Sequence, residues 1–111
     1  MENKIVYSLV VAILNRGFAD VAMSAARSAG AKGGTVISAR SSGLHEEETF
    51  FGISIRPEKE LVLILSPEET KPAIMRSIIK HVGIETEGGG LVFALPVSDV
   101  EGNARLTNSE A

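Results

Sequence analysis

The sequence predicts an α+β fold, a four-stranded antiparallel sheet with two helices on one face, and three observations lead there. Apolar, β-branched runs and helical stripes follow one another in the order strand, helix, strand, strand, helix, strand. Glycines or prolines stand at the ends of most of these runs. A polar, glycine-broken segment separates the second strand from the third. This order is that of the ferredoxin-like split β-α-β sandwich, here with an extra short strand or hairpin after the loop.

Residues 4–14 (KIVYSLVVAIL) are β-branched and contain neither Gly nor Pro, as a buried strand requires. From Phe18, the residues Val21, Ala22, Ala25, Ala26 and Ala29 complete one helical stripe; Asp20 suits the first turn, and Gly30 suits a left-handed C-cap. Gly33-Gly34 open a second strand over 35–39. Residues 40–49 (RSSGLHEEET) are too polar for a core element and read as an exposed loop; 50–55 alternate imperfectly as a strand, and Pro57 fits a turn within 56–59. Residues 61–65 form an all-apolar strand. For the second helix two starts are open: Ser66 as cap with Pro67 at the first helical position and Glu69 completing a capping box, or a start near Thr70 that avoids or kinks at Pro72. Its apolar face is Ile74, Ile78, Ile79 and Val82, and Gly83 ends it. Gly88-Gly89-Gly90 is a loop, 91–95 (LVFAL) the last strand, and Pro96 closes it.

The 111 residues suit a single domain, 1–111, with a folded core over 1–97, an exposed loop over 40–50 and a loosely held polar tail over 98–111. Hydrophobic residues make up 44% and charged residues 23%, ordinary for a folded soluble chain. The longest wholly apolar run is 9–14, well below the roughly 18 residues of a membrane span, and the opening MENK is not that of a signal peptide. A cytoplasmic protein without direct membrane insertion is expected. The absence of cysteine excludes disulfides, thiolate zinc sites and cysteine nucleophiles. A net charge of −3, with no basic cluster interleaved with aromatics, argues against nucleic acid as a partner. Aromatic content of 5% leaves a small core, so burial between subunits is a natural supplement. The sheet face away from the helices is also apolar, and another subunit is its natural cover.

Few residues read as chemistry. His45 lies beside three glutamates and His81 on the polar side of the second helix, so neither belongs to a visible triad, and adjacent loop residues seldom converge on one metal ion. The glycine run in Thr86-Glu87-Gly88-Gly89-Gly90 admits two readings: backbone N–H groups turned toward a phosphate, or a turn that needs positive φ. It is neither a Walker motif nor a dinucleotide fingerprint. Gly34 and Thr35 read first as a tight helix-to-strand connection.

Gly33-Gly34-Thr35-Val36, Pro57-Glu58-Lys59-Glu60-Leu61-Val62 and Gly88-Gly89-Gly90-Leu91-Val92-Phe93-Ala94-Leu95-Pro96-Val97, taken in order, resemble the nitrogen regulatory PII signalling family over 5–100. The resemblance implies a ferredoxin-like homotrimer that is not an enzyme, takes an adenine nucleotide between subunits, and regulates a membrane transporter or metabolic enzyme through the loop between the second and third strands. It implies ligand contacts at Gly34 and Thr35, and at Thr86, Gly88, Gly89 and Gly90, and a partner-contacting loop of Ser41, Ser42, Gly43, Leu44, His45, Glu46 and Glu47.

The departures set the expected ligand. Leu91 stands where the family usually has a phosphate-binding lysine, Gly89 where it has aspartate and Ile84 where it has threonine, with Thr86 as its substitute if the loop is reset; residues 100–104 lack its two arginines, with Arg105 nearby. Each lost charge-assisted contact removes about 1.5–3 kcal/mol, so the grip on a triphosphate is weakened or lost. The loop is shorter and has no tyrosine to modify, Tyr7 being the only one in the chain. The expected effector is AMP, ADP, ATP or a smaller anion such as bicarbonate, with Arg40 and Lys59 as cationic contacts, and no cofactor or bound metal. The alternative is a trimeric, metal-related protein of the CutA kind, which needs convergent His, Asp or Glu ligands.

Overall fold

The computed structural model describes residues 5–42 and 57–102, and the backbone of 48–50 and 53–55. Strand β1 is Tyr7–Asn15, helix α1 Ala19–Ser28 and strand β2 Thr35–Arg40; a short pair, β3 (Glu48–Phe50) and β4 (Ile53–Ile55), precedes strand β5 (Glu58–Pro67), helix α2 (Lys71–Val82) and strand β6 (Leu91–Val97). The main sheet has the order β2-β5-β1-β6, every neighbour antiparallel, while β3 and β4 pair in a sheet of their own. This is the expected ferredoxin-like topology.

Register explains the two faces. Val10, Ala12 and Leu14 stand opposite Ile64, Val62 and Glu60, and the first two also opposite Ala94 and Val92. They meet α1 and α2 in a core that includes Ala22, Met23, Ala26, Ile74, Ile78 and Val82. The odd-numbered positions of β1 form the other face: Leu9 lies between Leu65 and Leu95, Val11 between Leu63 and Phe93, and Ile13 between Leu61 and Leu91. The Ser77 hydroxyl donates to the Ala25 carbonyl at 2.8 Å and ties the two helices together.

The helix boundaries follow local chemistry. In α1 the Gly30 N–H bonds the Arg27 carbonyl and the Ala31 N–H the Ala26 carbonyl, with Gly30 at φ +114°, a Schellman closure at the expected residue. The buried stripe differs from the expected one: Ala19 and Met23 are buried, whereas Val21 is 43% exposed. Helix α2 takes the later of its two starts. Pro72 sits in its first turn, where a missing N–H costs nothing, and Ser66, expected as a cap, bonds the Pro67 carbonyl instead. Ile79 was expected on the apolar face but points outward, because Ile74, Ile78 and Val82 at fourfold spacing already fill the contact with the sheet.

Three further boundaries move. Arg40 belongs to β2 and 48–50 to β3, so the segment expected as an exposed loop is shorter at both ends; 43–47 lie outside the described residues. Glu58 and Lys59, expected in a turn, are already strand, and Ser41 N–H bonds the Pro57 carbonyl at 2.9 Å, drawing together the chain on either side of the loop. Pro96 continues β6 rather than closing it, which an edge strand tolerates.

Candidate functional site

At one end of the sheet, Arg40 stands opposite Glu58, Ala39 opposite Lys59, and Ser38 opposite Glu60. Alternation therefore sends Arg40 and Lys59 to opposite faces around the strand ends. With Arg16, which follows β1 directly, they line a pocket of about 480 Å³ that also includes Ser38, Glu58 and Glu60. The two carboxylates are already engaged. Arg16 Nη1 lies 2.8 Å from Glu58 Oε1, and Glu60 Oε1 accepts the Gly17 and Ala19 N–H groups at 3.1 and 3.0 Å. The Arg16–Glu58 pair is exposed on both sides, so it contributes little stability and leaves the guanidinium free to re-aim at an incoming anion. Arg40 makes no ion pair among the described residues. Lys59 Nζ donates to Asn15 Oδ1 at 2.8 Å.

The glycine loop begins on the other side of Asn15. Asn15 Nδ2 donates to the Glu87 carbonyl at 3.0 Å, and the Asn15 backbone N–H to the Gly88 carbonyl at 2.8 Å. All three glycine N–H groups are engaged within the chain: Gly88 N–H with Thr86 Oγ1, Gly89 N–H with the Thr86 carbonyl, and Gly90 N–H with the Val82 carbonyl. The Thr86 hydroxyl in turn donates to the Gly83 carbonyl at 2.8 Å. A phosphate cradle of free amides is therefore not what these glycines build in this conformation. Their spacing answers to packing: a Cβ on Gly88 would stand 2.8 Å from Val82 Cβ, one on Gly90 would collide with the Val82 carbonyl, and Gly89 holds φ +57°.

The remaining expected contacts lie elsewhere. Gly34 packs so closely that a Cβ there would stand 2.8 Å from Met23 Sδ and 2.9 Å from the Leu63 carbonyl, and Thr35 begins β2 opposite Leu63. Strands β5 and β1 separate this edge from the glycine loop at β6, about 14 Å of sheet at ~4.8 Å per strand. One chain thus places Arg40 and Lys59 along one pocket from opposite faces of the strand ends and sets Lys59 beside the glycine loop through Asn15, but keeps Gly34 and Thr35 apart from that loop. Ile84, 77% exposed, and Leu91, 57% exposed, give the loop's flanks an apolar surface. Of the partner-contacting loop, Ser41 and Ser42 are described and 43–47 are not. His81 is exposed, its Nδ1 2.8 Å from the Ser77 carbonyl, and no group of three metal-ligating side chains occurs among the described residues.

Sequence reading missed Arg16 and Asn15. Both sit where β1 runs out, and their spatial neighbours, Glu58, Lys59 and Glu87, are more than forty positions away; only the strand pairing reveals them.

The chain is thus a ferredoxin-like α+β sandwich with Arg16, Arg40 and Lys59, beside Glu58 and Glu60, lining a pocket at one end of its sheet. The chain belongs to the family described as nitrogen regulatory protein P-II, whose model matches residues 7–105. Among solved structures it is similar to PII of Arabidopsis thaliana bound to citrate, at 25% identity and a TM-score of 0.63, over 87% of this chain and 80% of that one. It is also similar in fold to the GlnK–ATP complex of B. subtilis, at 12% identity and a TM-score of 0.65, over 84% of both chains. B. subtilis GlnK by itself gives 12% identity and a TM-score of 0.64, over 84% of this chain and 86% of that one. A comparison with curated proteins found no match.

Proposed function

We propose that this chain is a non-enzymatic PII-type regulator in the cytoplasm. Its homotrimer takes a small anion or an adenine nucleotide, and its loop over 40–50 acts on a membrane transporter or a metabolic enzyme. The observation that carries the reading is that Arg16, Arg40 and Lys59 all line one pocket at the foot of that loop, with Glu58 and Glu60 already engaged. An anion there gains charge-assisted bonds, and the residues it touches are those from which the loop departs and to which it returns. The citrate of the Arabidopsis relative and the ATP of the B. subtilis one are both polyanions, consistent with such a pocket.

A ligand that touches both the glycine loop and Gly34–Thr35 is shared between copies, because the sheet keeps the two apart within one chain. Leu91 and the internally bonded glycine amides weaken the grip on a triphosphate, so AMP, ADP or bicarbonate is favoured over ATP.

Calorimetric titration with ATP, ADP, AMP and bicarbonate at matched salt tests this. Binding of AMP, ADP or bicarbonate more tightly than ATP is expected, and Arg40→Ala should weaken it about tenfold or more, the value of one charge-assisted contact. Silence with all four ligands would overturn the reading. In the same instrument, saturable uptake of a divalent metal in place of any anion would favour the CutA-like alternative.

A further inference from the structure

Asn15 joins two parts of the site. Its Oδ1 accepts from Lys59 Nζ at 2.8 Å, while its Nδ2 donates to the Glu87 carbonyl at 3.0 Å. Its backbone N–H holds the Gly88 carbonyl at 2.8 Å. One amide side chain therefore spans from a pocket cation to the carbonyl face of the glycine loop. The fit is close: a Cβ on Gly89 would stand 2.7 Å from Asn15 Nδ2, so the loop approaches this amide only because the residue is glycine, at φ +57°. The two bonds of the amide fix its plane from both ends. Losing either one frees its rotation and weakens the other.

We propose that Asn15 is a positioning residue that couples occupancy of the pocket to the glycine loop. This rests on the anion-pocket reading above. A carboxylate, bicarbonate or phosphate oxygen competes for the Lys59 ammonium against the neutral amide oxygen of Asn15, and an oppositely charged acceptor adds a Coulombic attraction that the amide lacks. Drawing the ammonium toward the anion leaves Asn15 Oδ1 without that donor and loosens the hold of Nδ2 on the Glu87 carbonyl. The coupling is reciprocal, so a ligand or partner that fixes the glycine loop in its present form favours the state in which Lys59 stays on Asn15.

The test reads hydrogen exchange of the Gly88 and Gly89 amides in the full, ligand-free chain. Lys59→Met imitates the withdrawn ammonium and should accelerate that exchange about twofold or more, the lower end of coupling between side chains in contact. In an Asn15→Ala background the same Lys59→Met change should add nothing. Asn15→Asp, which keeps an acceptor for Lys59 and lacks the donor for Glu87, provides a second background and should likewise be insensitive. Equal acceleration in all backgrounds, or none in the first, overturns the proposal.

Titration of the unmodified chain with bicarbonate and with AMP separates this failure from that of the pocket. Binding that shifts the Gly88 and Gly89 resonances, and fails to shift them in Asn15→Ala, supports the coupling. Binding without any such shift overturns the coupling and keeps the pocket. Absence of binding, with the Lys59→Met acceleration intact, overturns the pocket and with it the occupancy step, and keeps only the link from Lys59 through Asn15 to the glycine loop.

Discussion

Tyr7 opens β1 with a hydroxyl that is buried and has no hydrogen-bond partner among the described residues. A buried polar group left unsatisfied costs about 1–3 kcal/mol, so Tyr7→Phe, which removes the oxygen and keeps the ring, should raise stability by about 1 kcal/mol. A rise in the midpoint of urea unfolding, with unchanged slope, would show it; a fall would mean that the hydroxyl is satisfied in solution. Individual residues were unevenly legible in the sequence. Gly30 announced positive φ because only glycine adopts it at no cost, and it holds it; for the run Gly88-Gly89-Gly90 a turn of that kind was one of two open readings, and Gly89 adopts it. Asn15 and Arg16 announced nothing, since their significance lies in partners that the antiparallel pairing of β1 with β5 brings alongside.

At the scale of elements, the start of α1 depends on another strand. Phe18 offers no side chain to cap the helix, and the work falls to Glu60 of β5, whose Oε1 takes the Gly17 and Ala19 N–H groups. A carboxylate at this end also meets the favourable pole of the helix dipole. Glu60→Ala should therefore cost about 1–2 kcal/mol, the range of a lost N-cap, with Glu60→Gln costing less because an acceptor oxygen is kept. Thermal unfolding would register the alanine variant as a drop of about 4–8 °C for each kcal/mol. An unchanged melting temperature in Glu60→Ala would mean that water caps the helix equally well.

The same comparison shows which boundaries a sequence reveals. Helix stripes and β-branched runs placed every element of the main sheet, because period and burial are local properties of the chain. The start of α2 stayed ambiguous between Ser66 and Thr70, since Ser66 offered a capping box while a start near Thr70 brought Pro72 into the first turn, and only the continuation of β5 through Pro67 decides it. The short strand Glu48–Phe50 was hidden by its polar sequence, and it pairs with Ile53–Ile55 in a sheet of its own.

At the scale of the molecule, the face opposite the helices bears Leu9, Val11, Ile13, Leu61, Leu63, Leu65, Leu91, Phe93 and Leu95 in three aligned rows. Along β6 the exposure is substantial, with Leu91 at 57%, Phe93 at 39% and Leu95 at 48%. A contiguous apolar surface of this kind marks an interface, and burying it against two further copies is the assembly that the proposed trimer requires. Phe93→Asp tests it directly. The residue lies on the face remote from the core, so the chain should still fold, with an unchanged far-ultraviolet dichroism spectrum. A charge forced into a dry interface without a partner costs several kcal/mol per copy, enough to dissociate the assembly at micromolar concentration. Sedimentation should give about 35 kDa for the unmodified chain, three times its 11.7 kDa, and the single-chain mass for the variant. Anion binding then separates two architectures. If affinity falls together with the trimer, the ligand is shared between copies, as contacts from both Gly34–Thr35 and the glycine loop require. If the monomeric variant binds as before, the pocket of Arg16, Arg40 and Lys59 is sufficient by itself, and the cleft between copies serves to transmit the signal rather than to hold the ligand.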